Sequence, residues 1–273
     1  MQKWRRLLAD GLLTVNRLVG SERPSGRMFK GSALVFAPHP DDEVLGCGGT
    51  IALKVRAGAR VNVVVMTDGR ASHSALIAAN ELIEIRRAEA QNAALRLGLS
   101  AEDYRFLDFE DHRLLRHRKA ASDQVFEIIQ QFEPDEIYLP HRRDVITDHV
   151  ETNRIVRGVV NQIGNPVTLF EYPVWLWNNW PWTLDSARYG SGMVRDALGA
   201  IRDAAEIVFV CRDRVNVASV LTVKLAALGA YQSQLQRLNG SPRWSVLADV
   251  AEGEFLRRFE TSFEIFRRTD YRP

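Results

Sequence analysis

The chain has 273 residues, 46% of them hydrophobic, and its Lys and Arg exceed its Asp and Glu by only 36 to 34. That composition argues against wholesale disorder, and the balanced charge argues against a nucleic-acid-binding surface or an acidic tail. The two cysteines, Cys47 and Cys211, are neither at zinc-finger spacing nor a disulfide framework, which suits a reducing, cytoplasmic setting, and no apolar run approaches the ~18 residues of a membrane span.

Residues 1–31 read as an amphipathic helix and a linker ahead of a single domain over 32–273. Leu7, Leu8, Leu12, Val15, Leu18 and Val19 recur at helical spacing. Asp10, Asn16 and Arg17 interrupt the apolar stretch, so it reads as a helix packed on the domain and not as a signal peptide. Lys3, Arg5, Arg6 and Arg17 leave peripheral contact with an anionic inner-membrane surface as the alternative. Residues 20–31 are rich in Gly, Ser, Pro and charge and read as the linker.

The pattern then changes. Ala33–Ala37 and Arg60–Thr67 are short apolar runs of the kind that form strands buried on both faces. Ser74–Leu97 has helical periodicity and stops at Gly98, a natural C-cap. Tyr104–Leu107 reads as a strand, Ser122–Phe132 as a helix, Ile137–Leu139 as a strand, His149–Ile163 as a helix and Pro166–Tyr172 as a strand. This alternation predicts an α/β fold, a Rossmann-like doubly wound, mostly parallel sheet with helices on both faces. Ligands in such sheets lie beyond the carboxyl ends of the strands.

The later part is less regular. Leu169–Leu184 carries Trp175, Trp177, Trp180 and Trp182, which suit a packed loop core or, if exposed, an aromatic subsite for a sugar, a lipid or a protein. Ala205–Cys211 is expected as a strand, Val215–Leu238 as a long helix and Thr261–Arg267 as a closing strand.

Two segments at strand ends carry chemistry. Pro38-His39-Pro40-Asp41-Asp42-Glu43 follows the first strand and places an imidazole and three carboxylates within five residues. The prolines stiffen the backbone around His39. His39 and one aspartate suit a divalent metal, and a neighbouring carboxylate suits a proton acceptor beside it. Cys47, between glycines, reads as a small packing residue. The second segment, His141 to Asn153, follows Ile137–Leu139, opens a helix near His149 and offers a third ligand from a distant strand end.

Together these segments resemble the LmbE-like, or PIG-L-like, N-deacetylase family. Its signature, Ala-x-His-Pro-Asp-Asp-Glu, is complete at Ala37–Glu43, and its second motif is similar to Asp144-Val145-Ile146-Thr147-Asp148-His149. Thr67-Asp68-Gly69, Arg86 with Glu89, Leu97-Gly98, Asp111 and Lys224–Gln234 are weaker echoes. The resemblance implies Zn2+ on His39, Asp42 and His149, with another divalent ion such as Fe2+ suited to the same donors. It implies Asp41 as general base, Asp148 as a second catalytic group, and Arg86 and Asp111 on substrate hydroxyls. The activity implied is removal of acetyl from an N-acetylated amino sugar, free or in a glycoconjugate; nucleic acid is not an expected partner, and homo-oligomerisation is left open. The alternatives are a zinc amidase for a non-sugar amide or thiol conjugate, and a catalytically impaired metal- or sugar-binding homologue. One position departs from the family: Ile146 stands where many members have a histidine that steadies the oxyanion or protonates the amine. His141 is the expected substitute, with Tyr172 and Arg142 as further candidates, or Asp41 serving in turn as base and acid.

Overall fold

Eight strands form one mixed sheet in the computed structural model, which describes residues 2–22, 27–183, 193–238 and 240–272. In chain order they are β1 (Ser21–Glu22), β2 (Ala33–Ala37), β3 (Val61–Thr67), β4 (Tyr104–Phe109), β5 (Glu136–Pro140), β6 (Val167–Tyr172), β7 (Asp213–Asn216) and β8 (Phe263–Tyr271). The sheet runs β1-β7-β8-β6-β5-β2-β3-β4 and is parallel except for β8, which pairs antiparallel with β6 and β7. The helices are α1 (Gln2–Val19), α2 (Asp42–Arg56), α3 (Ala79–Leu97), α4 (Arg118–Phe132), α5 (Thr147–Ile163), α6 (Met193–Ala205), α7 (Leu221–Leu228) and α8 (Gln232–Leu235).

The period-2 alternation of strand side chains divides the core in two. Ala33, Val35 and Ala37 of β2 join the cluster that holds Val44 and Ile51 of α2, Ala90 and Ala93 of α3, and Ala227 of α7. Leu34 and Phe36 point the other way and join Val125 and Ile129 of α4 and Val156 and Val159 of α5. The α/β expectation with helices on both faces therefore holds. The chain winds outward from β2 through β3 to β4, then returns to add β5 and β6 on the opposite flank of β2. The winding reverses between β2 and β5, which opens a crevice at their carboxyl ends.

A kink in α2 shapes that crevice. Cys47 has non-helical φ −148°, and the helix restarts behind it. The buried Glu264 of β8 caps the restart, accepting the Gly49 and Thr50 N–H groups at 2.8 Å each. Lys224 of α7 pairs with Glu264 at 2.8 Å and donates to the Leu45 carbonyl at 3.1 Å. Cys47 is buried, as a packing residue should be. Gly46 lies against the Tyr172 ring, where an added Cβ would stand 2.2 Å from a ring carbon. Tyr172 in turn donates its hydroxyl to the Phe36 carbonyl at 2.7 Å. Gly46→Ala is therefore expected to lower unfolding free energy by about 1–3 kcal/mol through overpacking. Denaturant unfolding checks this, and unchanged stability would mean the ring can move aside.

Three expectations need correction. Ala205–Cys211 is not a strand: Glu206–Val210 continues α6 as a π-helical turn. The orphan carbonyls at its end are taken by Asn16 of α1, whose amide donates to Ile207, Val208 and Cys211 at 3.0, 3.1 and 3.0 Å. Nor is Val215–Leu238 one helix. Val215 belongs to β7, Asn216 makes a turn by accepting the Ala218 N–H at 3.1 Å, and only Leu221–Leu228 and Gln232–Leu235 are α-helical. Finally, α1 packs on the core as expected, through Ala9, Leu12 and Val15, but Leu7, Leu8, Leu18 and Val19 of its apolar stripe face outward, with Leu18 80% exposed. Of the expected linker, residues 23–26 lie outside the described residues. Among the described residues no helix is long and apolar enough to cross a membrane.

Candidate metal centre and its cleft

His39 and Asp42 leave the end of β2, and His149 lies in the first turn of α5, after β5. The topology thus delivers them to opposite sides of the reversal point. Their rings approach to 5.2 Å between centroids. His39 Nδ1 and His149 Nε2 each lie 3.1 Å from Asp42 Oδ2. The other nitrogen of each ring meets a carboxylate: His39 Nε2 is 3.0 Å from Asp111 Oδ1, and His149 Nδ1 is 2.9 Å from Asp144 Oδ2. Asp144 is further fixed by the Val174 and Leu176 N–H groups at 3.3 and 2.8 Å. An imidazole held by a carboxylate on one side presents its opposite nitrogen in a fixed direction, as metal-ligating histidines do.

These donors fit a divalent ion. His149 Nε2 is buried and has no hydrogen-bond partner despite its closeness to Asp42. The donor atoms of His39, Asp42 and His149 all lie within 4.8 Å of one another. A second group, His39, Asp111 and Asp148, meets the same distance criterion. In that group His39 Nε2 and Asp111 Oδ1 are likewise buried without a hydrogen-bond partner, while the other carboxylate oxygens hold backbone. Asp111 accepts the Ala71 N–H at 3.0 Å, and Asp148 accepts the His112 and Leu114 N–H groups at 2.7 and 3.3 Å.

Charge follows the same division. Burial alone would lower His149, but Asp42 and Asp144 outweigh it and raise its pKa to about 9. Burial likewise opposes the charged form of His39, yet Asp111, Asp148 and Asp42 hold it well above its ordinary value. Asp42 is held low by the two imidazoles although burial pushes it up. Asp41 behaves differently. Burial raises it to about 8, with Arg86 opposing and Asp42 adding to the rise.

Asp41 stands beside the triad on strained backbone, at φ 122°, outside the range that a non-glycine residue favours. Its N–H donates to Glu43 Oε2 at 3.2 Å. Glu43, fully buried, also accepts the hydroxyls of Tyr104 at 3.0 Å and of Tyr231. Arg86 reaches the loop from α3, donating to the Pro40 carbonyl and to Asp41 Oδ2, the latter at 3.3 Å. Its helix neighbour Glu89 is taken instead by the Ser233 N–H and hydroxyl, at 2.6 Å each.

A cleft of about 530 Å3 opens over this loop, and His39, Asp41, Asp42, Arg86 and Asp111 all line it. His149 is wholly buried behind them. Three expected residues fall elsewhere or act differently. His141 is fully buried outside the cleft, its Nε2 3.4 Å from Glu206 Oε1, because its ring turns back toward α6. Asp148 is not among the cleft-lining residues; its oxygens accept the His112 and Leu114 N–H groups, and its Oδ2 lies 3.5 Å from His39 Nε2. Asp111 lines the cleft but spends its carboxylate on His39 and Ala71. Tyr172 and Arg142 also lie off the cleft, bound to Phe36 and to Glu206.

Ser72, His112, Gln234 and Leu247 line the cleft unanticipated, whereas Trp175 is among the tryptophans offered for an aromatic subsite. Only Gln234 had a sequence signal, as part of the Lys224–Gln234 echo. Of the tryptophans, Trp182 and Trp177 are buried and meet edge to face at 5.1 Å, whereas Trp175, stacked on Phe255 at 4.8 Å, reaches the cleft.

The chain is similar to several known deacetylases. The chain is 28% identical to a 1D-myo-inositol 2-acetamido-2-deoxy-alpha-D-glucopyranoside deacetylase of Mycobacterium sp. (strain KMS), over 82% of this chain and 80% of that protein. It is 28% identical to a probable N-acetyl-alpha-D-glucosaminyl L-malate deacetylase 2 of Bacillus cereus, over 75% of this chain and 84% of that one. The N,N'-diacetylchitobiose deacetylase of Pyrococcus horikoshii superposes with a TM-score of 0.61 at 20% identity, covering 88% of this chain and 84% of its own, which establishes a shared fold. Residues 34–160, which carry both triads and both carboxylates that face the histidines, match the model of the PIG-L family, described as GlcNAc-PI de-N-acetylase.

Proposed function

We propose that the chain is a zinc-dependent N-deacetylase that removes acetyl from an N-acetylated amino sugar carried in a glycoside or glycoconjugate. The observation that carries this reading is the meeting of His39, Asp42 and His149 at the reversal point, beside a buried carboxylate of raised pKa. His39 through Nδ1, Asp42, and His149 through Nε2 would hold the ion, leaving room for water and substrate as catalytic zinc sites do. A bound zinc supplies Lewis acidity, which polarises a carbonyl and makes water easier to deprotonate.

The remaining work falls to the protein. Asp41 accepts the proton of the attacking water, a role suited to a carboxyl raised to about 8. Arg86 and Glu43 keep that carboxyl in place through its side chain and its backbone N–H. Asp111 and Asp144 orient the two imidazoles. Trp175, half-buried on the cleft wall, offers a face to a sugar ring. The sugar assignment draws on two relatives of similar length whose names specify N-acetylated glucosamine glycosides. We place residues 32–273 in one catalytic domain, with α1 as an appended helix.

Acetate release from N-acetylglucosamine glycosides, with and without chelator, tests the reading. Chelator-sensitive release is expected, and a purified, metal-loaded protein that frees no acetate from any of them would refute it. The protonation pattern gives a second expectation. His149 holds its proton up to about pH 9 and metal must displace it, so metal affinity should rise with pH up to that value and weaken below it. Binding isotherms at several pH values check this; affinity independent of pH would show that His149 is not a ligand.

A further inference from the structure

Breaking an amide requires a proton on the departing nitrogen, because an unprotonated amide anion is too basic to leave. Few side chains around the cleft can give one. Ile146 lines it but has no proton to offer, and His141 lies outside it. Arg86 is a guanidinium, which gives up no proton, while Asp111 faces His39 and accepts the Ala71 N–H. Asp41 sits on the ligand side, among Arg86, Asp42 and Glu43. One other titratable group remains.

Resting on the deacetylase reading above, we infer that His112 is the acid that protonates the departing nitrogen. His112 lines the cleft, with its side chain 69% exposed and its Nε2 3.8 Å from Asp111 Oδ1. Its backbone is left-handed, at φ 63°, where glycine would be the unstrained choice if only a turn were needed. The protein enforces that conformation: the buried Asp148 carboxylate, one residue before His149, accepts the His112 N–H at 2.7 Å. A histidine on left-handed backbone, tied through its N–H to the same helix turn as a proposed ligand and with its ring on the cleft, is a costly arrangement for a mere surface loop. The step balances. As the carbonyl re-forms, the C–N bond pair passes to nitrogen, which takes the His112 proton. Amine and acetate depart, and the exposed ring regains a proton from solvent.

His112→Gly suits the backbone, and His112→Asn keeps a hydrogen-bonding side chain that tolerates the left-handed region, so neither should unfold the protein. Both are assayed on an N-acetylglucosamine glycoside and on 4-nitrophenyl acetate, whose phenolate leaves without a proton. Amide kcat should fall by about 10²–10⁴-fold with KM little changed, metal content intact and ester turnover unaffected. Introducing I146H into the His112→Gly protein should recover part of the loss. Equal losses on amide and ester, or undiminished amide turnover, would overturn the assignment. Wild-type protein inactive on every amide would instead bring down the deacetylase reading itself.

Discussion

Asp41→Asn is expected to lower turnover by about 10²–10⁴-fold, the usual contribution of a general base, while metal content stays at the wild-type level. Asparagine keeps the shape and the hydrogen bond from Arg86 but accepts no proton from water. Asp41 pairs with Arg86 at 3.3 Å, and it is not one of the three side chains that converge as proposed ligands. The stability of the variant is equally informative. Burial raises Asp41 to about 8 against Arg86, so ionising it is costly in the folded state. A group whose folded pKa lies above its unfolded value destabilises the fold as pH rises through that range, because the unfolded chain ionises more readily. A neutral asparagine removes this cost. The variant should therefore melt at or above the wild-type temperature near neutral pH while being nearly inactive. Full activity in a metal-loaded Asp41→Asn protein would exclude Asp41 as the base.

His149→Ala should act on the other half of the site. It removes one proposed ligand and the partner shared by two buried carboxylates, Asp42 and Asp144. Metal content should fall to trace levels and activity with it. Breaking a buried pair in this way costs about 3–5 kcal/mol, since the carboxylates left behind are uncompensated. Asp144→Asn is the graded control. The imidazole stays but loses the group that orients it, and metal affinity should weaken by about 10–100-fold. Elemental analysis of the purified proteins, alongside denaturant unfolding, separates the two effects. Stoichiometric metal in His149→Ala would place the ion elsewhere.

The strand ends were legible because two signals coincided there. Ala33–Ala37 is apolar without interruption and is followed at once by His39 and three carboxylates, a sequence that only a buried strand opening onto a site explains well. The same logic held for β5 and His149. What escaped depended on contacts distant in sequence. His112 sits in a charged stretch, Glu110–Arg113, that looks like any solvated turn, and Asp111, which only the resemblance singled out, meets His39 through folding. His141, nearer to His149 in sequence, was a natural candidate for a missing histidine, yet the turn after β5 sends its ring toward Glu206. Ile207 and Val208 read as strand by composition, and the amide of Asn16, some 190 residues away, caps the helical end that they form instead. In α1 the apolar spacing was correct as a sign of helix and half correct as a guide to its buried face, since Leu12 and Val15 pack against the core while Leu7, Leu8, Leu18 and Val19 are exposed.

Which triad holds the ion is decisive, because both share His39 and only the first uses Asp42 and His149. Anomalous diffraction at the zinc edge, from crystals of the metal-loaded protein, decides between them. A peak at about 2.0–2.2 Å from His39 Nδ1, the Asp42 carboxylate and His149 Nε2 is the predicted result. A peak instead between His39 Nε2, Asp111 and Asp148, with His149 unligated, would contradict it.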